Sequence, residues 1–344
     1  MEFFNGFRSF HRPGSAPQGA FPAGNGYATK TFSWDESMKL RYHIEYALFK
    51  ATSGLVQLLP FPLLNAFFRG LASACYALGV RRRVVVTNLC VALGRETPDR
   101  EVMEAVRKCY REHGRMIAEI LREESLVGNP GEFSRVSGLE HLKAGMEKGK
   151  GVIIFTGHLG NYVLGGYLVA RSGYPLAYVS KPVFNPAMRV ELEKIYTRYG
   201  NTIIPIRSMQ NDSAGGMKIF RHLKGGGIVV VLNDQDAGPD GYKSDFFGRT
   251  TSIPAGPARF AVRTGAVALT VFTTRIDGKI CVDIQEPIDF TAAKTPGEAE
   301  RIVLDEYSRR LEAKVRETPE LYFWFHRKWK SNPEVRALYD GGRR

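Results

Sequence analysis

Cysteine is scarce and scattered in this chain. The four thiols among 344 residues, Cys75, Cys90, Cys109 and Cys281, lie far apart with no C-x-x-C pair. That spacing excludes a zinc ribbon and a disulfide framework, and it implies buried thiols in a reducing compartment. Acidic residues are in deficit too: 35 Asp and Glu stand against 48 Lys and Arg, a formal net charge of +13. Such a balance favours anionic partners such as phospholipid headgroups, phosphorylated sugars or an acidic carrier protein. Nucleic acid is not expected, because no recognised binding motif accompanies the charge. Residues 1–33 have no apolar stretch of the kind a secretory signal needs. Rich in Gly, Pro, Ser and Phe, they read as a flexible tail. No internal repeat is visible.

A long uninterrupted apolar run is also missing. From Ala51 to Val80 the only charged residue is Arg69, but Pro60 and Pro62 divide the stretch. It reads as two helices with a break. Each half falls short of the ~20 residues of a comfortable bilayer crossing. Residues 34–96 therefore read as an apolar, membrane-contacting helical segment that lies on a bilayer as a monotopic hairpin or interfacial pair. Arg81, Arg82 and Arg83 follow at once, and Arg41 and Lys50 flank the other side. Cations beside apolar helices suit an anionic cytoplasmic leaflet.

Hydrophobic residues make up 44% of the chain, enough for a full core. Residues 97–125 carry apolar positions at helical spacing. Beyond them the pattern alternates. Strands are predicted at 151–156, 175–180, 202–206, 227–232, 267–274 and 279–285. Helices are predicted at 159–171, 186–199, 213–223 and 256–263, with Asn185-Pro186 and Thr295-Pro296-Gly-Glu298 as helix starts. This alternation predicts an α/β fold over 97–335, a mostly parallel sheet flanked by helices.

The first constellation that can carry chemistry is Gly151-Val-Ile-Ile-Phe-Thr-Gly-His158-Leu-Gly-Asn161-Tyr-Val163. A buried strand runs into a histidine at a helix start, where open α/β sheets place their ligands. His158 there is a candidate general base, able to deprotonate a hydroxyl or amine for attack on an activated acyl group. Backbone N–H groups of the turn, including Gly160, are candidates to meet a developing oxyanion. The second is Asn233-Asp234-Gln235-Asp236 after a second buried strand. The third is Phe246-Phe-Gly-Arg249-Thr-Thr-Ser-Ile253-Pro254, read as a loop whose aromatics and Arg249 suit a phosphate beside an acyl chain.

In this order the blocks resemble the bacterial lipid A biosynthesis (late, lauroyl/myristoyl-type) acyltransferase family. The likeness rests on Gly138-Leu-Glu-His-Leu142, Thr156-Gly-His158-Leu-Gly-Asn161-Tyr, Ser180-Lys181-Pro182 with Asn185-Pro186, Asn233-Asp-Gln-Asp236, Phe246-Phe-Gly-Arg249 and Pro254-Ala-Gly-Pro257. Near the end Pro319-Glu320-Leu-Tyr-Phe-Trp324-Phe-His-Arg327-Lys-Trp329-Lys330 resembles the family's closing segment. It spans about residues 38–332. The resemblance implies a lysophospholipid-acyltransferase-like fold at the cytoplasmic face of the inner membrane. It implies acyl transfer from acyl carrier protein or acyl-CoA to a phosphorylated glycolipid or phospholipid acceptor. It implies no metal and no organic cofactor beyond the carrier's pantetheine arm. Related members acylate phosphatidylinositol mannosides.

The chain departs from the family pattern twice. The family pairs its histidine with an acid five residues on, and here that position is Val163. Lys181 stands where Arg is common, which keeps the charge but loses bidentate phosphate geometry. Three accounts of Val163 compete. Asp234 or Asp236 replaces the acid; or the Asn161 side-chain carbonyl orients His158, as Asn does in papain-like sites; or the chain binds lipid or carrier without turnover. The leading expectation makes His158 the base, with Asp234 or Asp236 its orienting acid. Gly160, Asn161, Lys181, Arg207, Gln235 and Arg249 are then the expected substrate-binding residues.

Overall fold

The computed structural model describes residues 40–341 apart from 129, 181–184 and 207–211. The expected tail over 1–33, and the site candidates Lys181 and Arg207, therefore lie outside the described residues.

Three helices come first, α1 (Leu40–Leu58), α2 (Phe61–Ala77) and α3 (Arg82–Ala92). Pro60 is the N-cap of α2 and Pro62 sits in its first turn, so neither missing N–H breaks a ladder bond. Among the described residues no single helix is long and apolar enough to cross a membrane; α2 and α3 meet at 91°. Leu64 and Phe68 of α2 bury themselves with Val56 and Ala118. The last of these lies on α4 (Arg100–Leu121), which Asp99 caps by accepting from the Val102 N–H. Gly114 permits the close approach of α2: an added Cβ would lie 2.4 Å from the Phe68 carbonyl oxygen. The opposite face of this helical layer leaves Leu58, Leu63, Phe67 and Leu71 exposed.

The α/β part runs α5 (Glu123–Gly128), α6 (Pro130–Phe133), β1 (Ser134–Ser137), α7 (Leu139–Glu147), β2 (Val152–Thr156), α8 (Tyr162–Arg171), β3 (Leu176–Ser180), α9 (Pro186–Tyr196), β4 (Thr202–Pro205), α10 (Ser213–Lys224) and β5 (Ile228–Leu232). It continues through β6 (Tyr242–Phe246), β7 (Arg249–Ile253), α11 (Gly256–Thr264), β8 (Val267–Ile276), β9 (Lys279–Ile284), α12 (Pro296–Glu317) and α13 (Pro333–Asp340). The main sheet has the order β1-β9-β8-β2-β5-β3-β4. β2 lies at its centre, parallel to both β5 and β8, and only β8–β9 pairs antiparallel. This is the mostly parallel, helix-flanked sheet expected from the alternation.

The central strands β2, β5 and β8 are buried on both faces, which explains their unbroken apolar runs. Ile153 and Phe155 of β2 join one core with Val229 and Val231 of β5 and with Leu304, Tyr307 and Leu311 of α12. Val152 and Ile154 face the other, with Leu164 and Leu168 of α8. The strands β1, β6 and β7 and the short helices α7 and α13 were not anticipated. β1 is short and polar, with the sequence Ser-Arg-Val-Ser, and so carries no periodic apolar signal. The segment read as a loop after Phe246 is strand β7, which folds back on β6 as a hairpin. Phe247 and Gly248 make the turn with φ of 55° and 67°. A phenylalanine in the left-handed region is not a turn signal that sequence patterning can use.

Candidate active site

The register of the central strands builds the site. Thr156, the last residue of β2, lies opposite Leu232, the last of β5. The ladder continues one residue further, with the Asn233 N–H donating to the Thr156 carbonyl at 3.0 Å. His158 and Asp234, each two residues beyond its strand, therefore fall side by side. His158 Nδ1 lies 2.7 Å from Asp234 Oδ1, and the His158 backbone N–H donates to Oδ2 at 2.9 Å. One carboxylate thus fixes both the ring and the turn that carries it.

Electrostatics follow from burial and pairing. Asp234 is wholly buried, while the His158 side chain keeps 18% exposure. Burial opposes a charge on His158, but the charge and hydrogen bond of Asp234 outweigh it and hold the imidazole above its ordinary 6.5. Burial likewise opposes charge on Asp234, yet His158, His326 and Lys328 together hold its carboxyl well below the usual range. With Nδ1–H donated to the carboxylate, Nε2 is the nitrogen left to exchange a proton with a substrate. Gln235 Nε2 is 3.5 Å from it.

Lys328 was not anticipated as a site residue. Only 1% exposed, it donates from Nζ to the Asp234 carbonyl oxygen at 2.6 Å and lies 4.5 Å from the centre of the Phe246 ring. Burial pushes the ammonium down to about 8 against the pull of Asp234 and Asp236. His326, its ring centre 6.4 Å from that of His158, is driven by burial down to about 4 and so stays neutral near pH 7. Both sit in the aromatic closing segment, which packs Trp324 and Trp329 into the core.

Several expected roles are corrected by the geometry. Asp236 does not reach His158; its carboxylate accepts from the Ser331 N–H at 2.7 Å, the Ser331 hydroxyl at 2.6 Å and the Gly238 N–H at 2.9 Å. It ties the loop after β5 to the closing segment. Asn161 does not orient His158 either. It is the N-cap of α8, its Oδ1 accepting from the Leu164 N–H, while its amide donates to the buried Glu119 carboxylate at 3.0 Å. Glu119 in turn pairs with Arg115 and Arg275. Arg249 lies at the exposed end of the hairpin and bonds Glu334 at 2.8 Å, because its segment is a strand rather than a loop over the site. Gly160 has φ of 56°, and an added Cβ would lie 2.1 Å from the Thr273 carbonyl oxygen; its glycine serves close packing on β8. Four of the turn amides are spent as well: His158 donates to Asp234, Leu159 to Gly157, Gly160 to Leu321 and Tyr162 to Gly160.

His158, Asn233, Gln235 and Asp236 share the wall of a cavity of about 460 Å³ that runs back along the sheet beneath α8. Its apolar lining includes Ile154, Val163, Val169, Leu176, Val230 and Val271. Two consecutive glycines of α8 let the helix lie close on the cavity-lining Thr273 and Tyr178. A Cβ on Gly165 would lie 2.2 Å from Thr273 Oγ1, and one on Gly166 would lie 1.9 Å from the Tyr178 hydroxyl. Val163, the position without an acid, is part of this apolar wall. The arrangement offers an acid-supported base at one end and a channel for hydrocarbon beside it.

The profile of the bacterial lipid A biosynthesis acyltransferases matches residues 30–331. The chain is 29% identical over 147 residues to the phosphatidylinositol mannoside acyltransferase of Mycobacterium tuberculosis, covering 39% of this chain and 42% of that protein. To the phosphatidylinositol mannoside acyltransferase of Mycolicibacterium smegmatis it is 24% identical over 200 residues, 54% and 60% of the two chains. To the lipid A biosynthesis acyltransferase of Haemophilus influenzae it is 25% identical over 211 residues, 60% and 62%. Each match therefore spans less than two thirds of the relative's length. The solved 1-acyl-sn-glycerophosphate acyltransferase of Thermotoga maritima superposes with a TM-score of 0.36 at 18% identity, covering 74% of this chain and 97% of that one.

Proposed function

The chain belongs to the bacterial lipid A biosynthesis acyltransferase family, and on that premise we propose that it moves a fatty acyl group from a thioester to a hydroxyl or amine of a lipid or glycolipid acceptor. The observation that carries the proposal is the His158–Asp234 pair at 2.7 Å beside an apolar cavity. The acceptor group gives its proton to His158 Nε2 as its oxygen or nitrogen bonds to the thioester carbonyl carbon. Asp234 stabilises the imidazolium so formed. The tetrahedral intermediate then expels the thiolate as the C–S bond breaks, and the imidazolium returns the proton to sulfur. The acyl chain occupies the cavity under α8.

The donor is an acyl carrier protein or acyl-CoA, and the acceptor a phosphorylated glycolipid or phospholipid. The surplus of basic residues supports both an acidic carrier and an anionic lipid surface. The work is done at the cytoplasmic face of the inner membrane, with Leu58, Leu63, Phe67 and Leu71 set into the leaflet and the cations of Arg81, Arg82 and Arg83 nearby. Transfer from palmitoyl-CoA and from palmitoyl-acyl carrier protein into lipid A precursors and phosphatidylinositol mannosides tests the reading. Turnover by the wild type that is abolished in His158→Ala is expected. Lipid association without turnover, unchanged in His158→Ala, would instead identify a binding relative.

A further inference from the structure

The reaction proposed above puts negative charge on the thioester carbonyl oxygen, and that charge needs a donor. The usual source, the amides of the turn after the central strand, is largely taken here. Those of His158, Leu159, Gly160 and Tyr162 all donate to protein acceptors. Among the described residues that line the cavity, two buried polar atoms have no partner, Asn233 Nδ2 and the Tyr178 hydroxyl. The strand register separates them. Tyr178 of β3 lies opposite Val230, three residues short of Asn233 and across β5 from β2. Asn233 sits directly before Asp234, with its own backbone N–H on Thr156, two residues ahead of His158. It is 1% exposed. A buried donor left unpaired costs stability, and such groups in folded proteins call for a specific reason.

We propose that Asn233 is a further catalytic residue, its side-chain amide donating to the thioester carbonyl oxygen as that oxygen becomes the oxyanion. The donor is fixed by the same strand end that fixes Asp234. Base, orienting acid and oxyanion donor thus come from two adjacent parallel strands. The amide has no acceptor within the protein, and the reacting oxygen supplies one when charge develops. The proposal rests on the acyl-transfer reading, and its test separates the two.

Asn233→Leu removes the donor while keeping the branched side-chain shape, and Asn233→Ala removes it with a smaller side chain. Each is measured for transfer from palmitoyl-CoA and for thermal stability, in the full chain. A catalytic donor predicts a loss of about 10²–10³ in kcat with KM little changed. It also predicts a Tm no lower than wild type for the leucine variant, because an unpaired buried group has been replaced by an apolar one. A kcat within threefold of wild type would overturn the proposal while leaving acyl transfer intact. So would a lowered Tm in both variants with activity lost in proportion to folded protein, which marks an amide held by structure or by a bridging water. Failure of both variants to fold would overturn it in the same way. A wild type that transfers nothing would overturn the acyl-transfer reading itself.

Discussion

Val163→Glu restores the family's acid in sequence, and the structure predicts that it harms the protein. Val163 is 8% exposed and faces the apolar cavity with Val169, Val230 and Val271. The His158 nitrogen that such an acid would take, Nδ1, is already bonded to Asp234 at 2.7 Å. A glutamate there has no free partner. An ionised carboxylate without one costs several kcal/mol even after relaxation, and loss of the buried valine costs a further ~1.5 kcal/mol. Placement in the first turn of α8 returns only about 0.3–1 kcal/mol. We expect a net destabilisation of roughly 3 kcal/mol or more at pH 7, large on the scale of single substitutions. Protonating the new side chain relieves it, so the deficit measured by urea unfolding shrinks at pH 5. Acyl transfer falls in parallel, because the cavity wall now carries a polar group. A tenfold gain in kcat with stability retained would refute this reasoning: it would mean that an acid at 163 is what the site lacks.

Three further expectations follow from the same geometry. His158 is held above 6.5 and must be neutral to act as base, so kcat/KM rises with pH through a midpoint above 6.5; a midpoint at or below 6.5 contradicts the pairing. Stability moves the other way: the raised value of His158 stabilises the fold fully below 6.5 and is lost as pH climbs through it, whereas the lowered value of Asp234 stabilises above 3.8 and is lost as pH falls through its folded value. The pair's contribution is therefore greatest between pH 3.8 and 6.5, so His158→Ala lowers stability most in that window and flattens the falls on either side of it in an unfolding-against-pH curve. Gly166→Ala pushes a Cβ against the Tyr178 hydroxyl and shortens the cavity. Loss of room for two methylenes, at about 0.8 kcal/mol each, lowers the preference for a C16 over a C12 thioester roughly tenfold; an unchanged ratio of kcat/KM would place the acyl chain elsewhere.

Much of the fold is written locally. The apolar runs of β2 and β5, the helix starts at Asn185-Pro186 and Thr295, and the proline break at Pro60 follow from patterning and capping. The site is less legible because it depends on register. Asp234 and Asp236 look equivalent in sequence, and only the pairing of Thr156 with Leu232 decides between them. Asn161 carries the chemistry of an orienting amide and of a helix cap alike; the nearby Glu119, distant in sequence, settles it as the cap. Arg249 was misplaced because a phenylalanine takes the positive-φ position of its hairpin turn. Lys328 escapes notice because lysine ordinarily reads as surface; its flanking aromatics, Trp324, Phe325 and Trp329, were the available signal that the segment is core.

On this reading a carboxylate from the end of β5 replaces the one absent at Val163. Asp234→Asn tests it most directly, since the amide keeps size and polarity but loses the charge that supports the imidazolium. With the fold intact by circular dichroism, kcat for acyl transfer should fall about 10⁴-fold, the scale seen when the acid of a serine protease triad becomes an amide. A kcat within tenfold of wild type in a folded Asp234→Asn protein would contradict it.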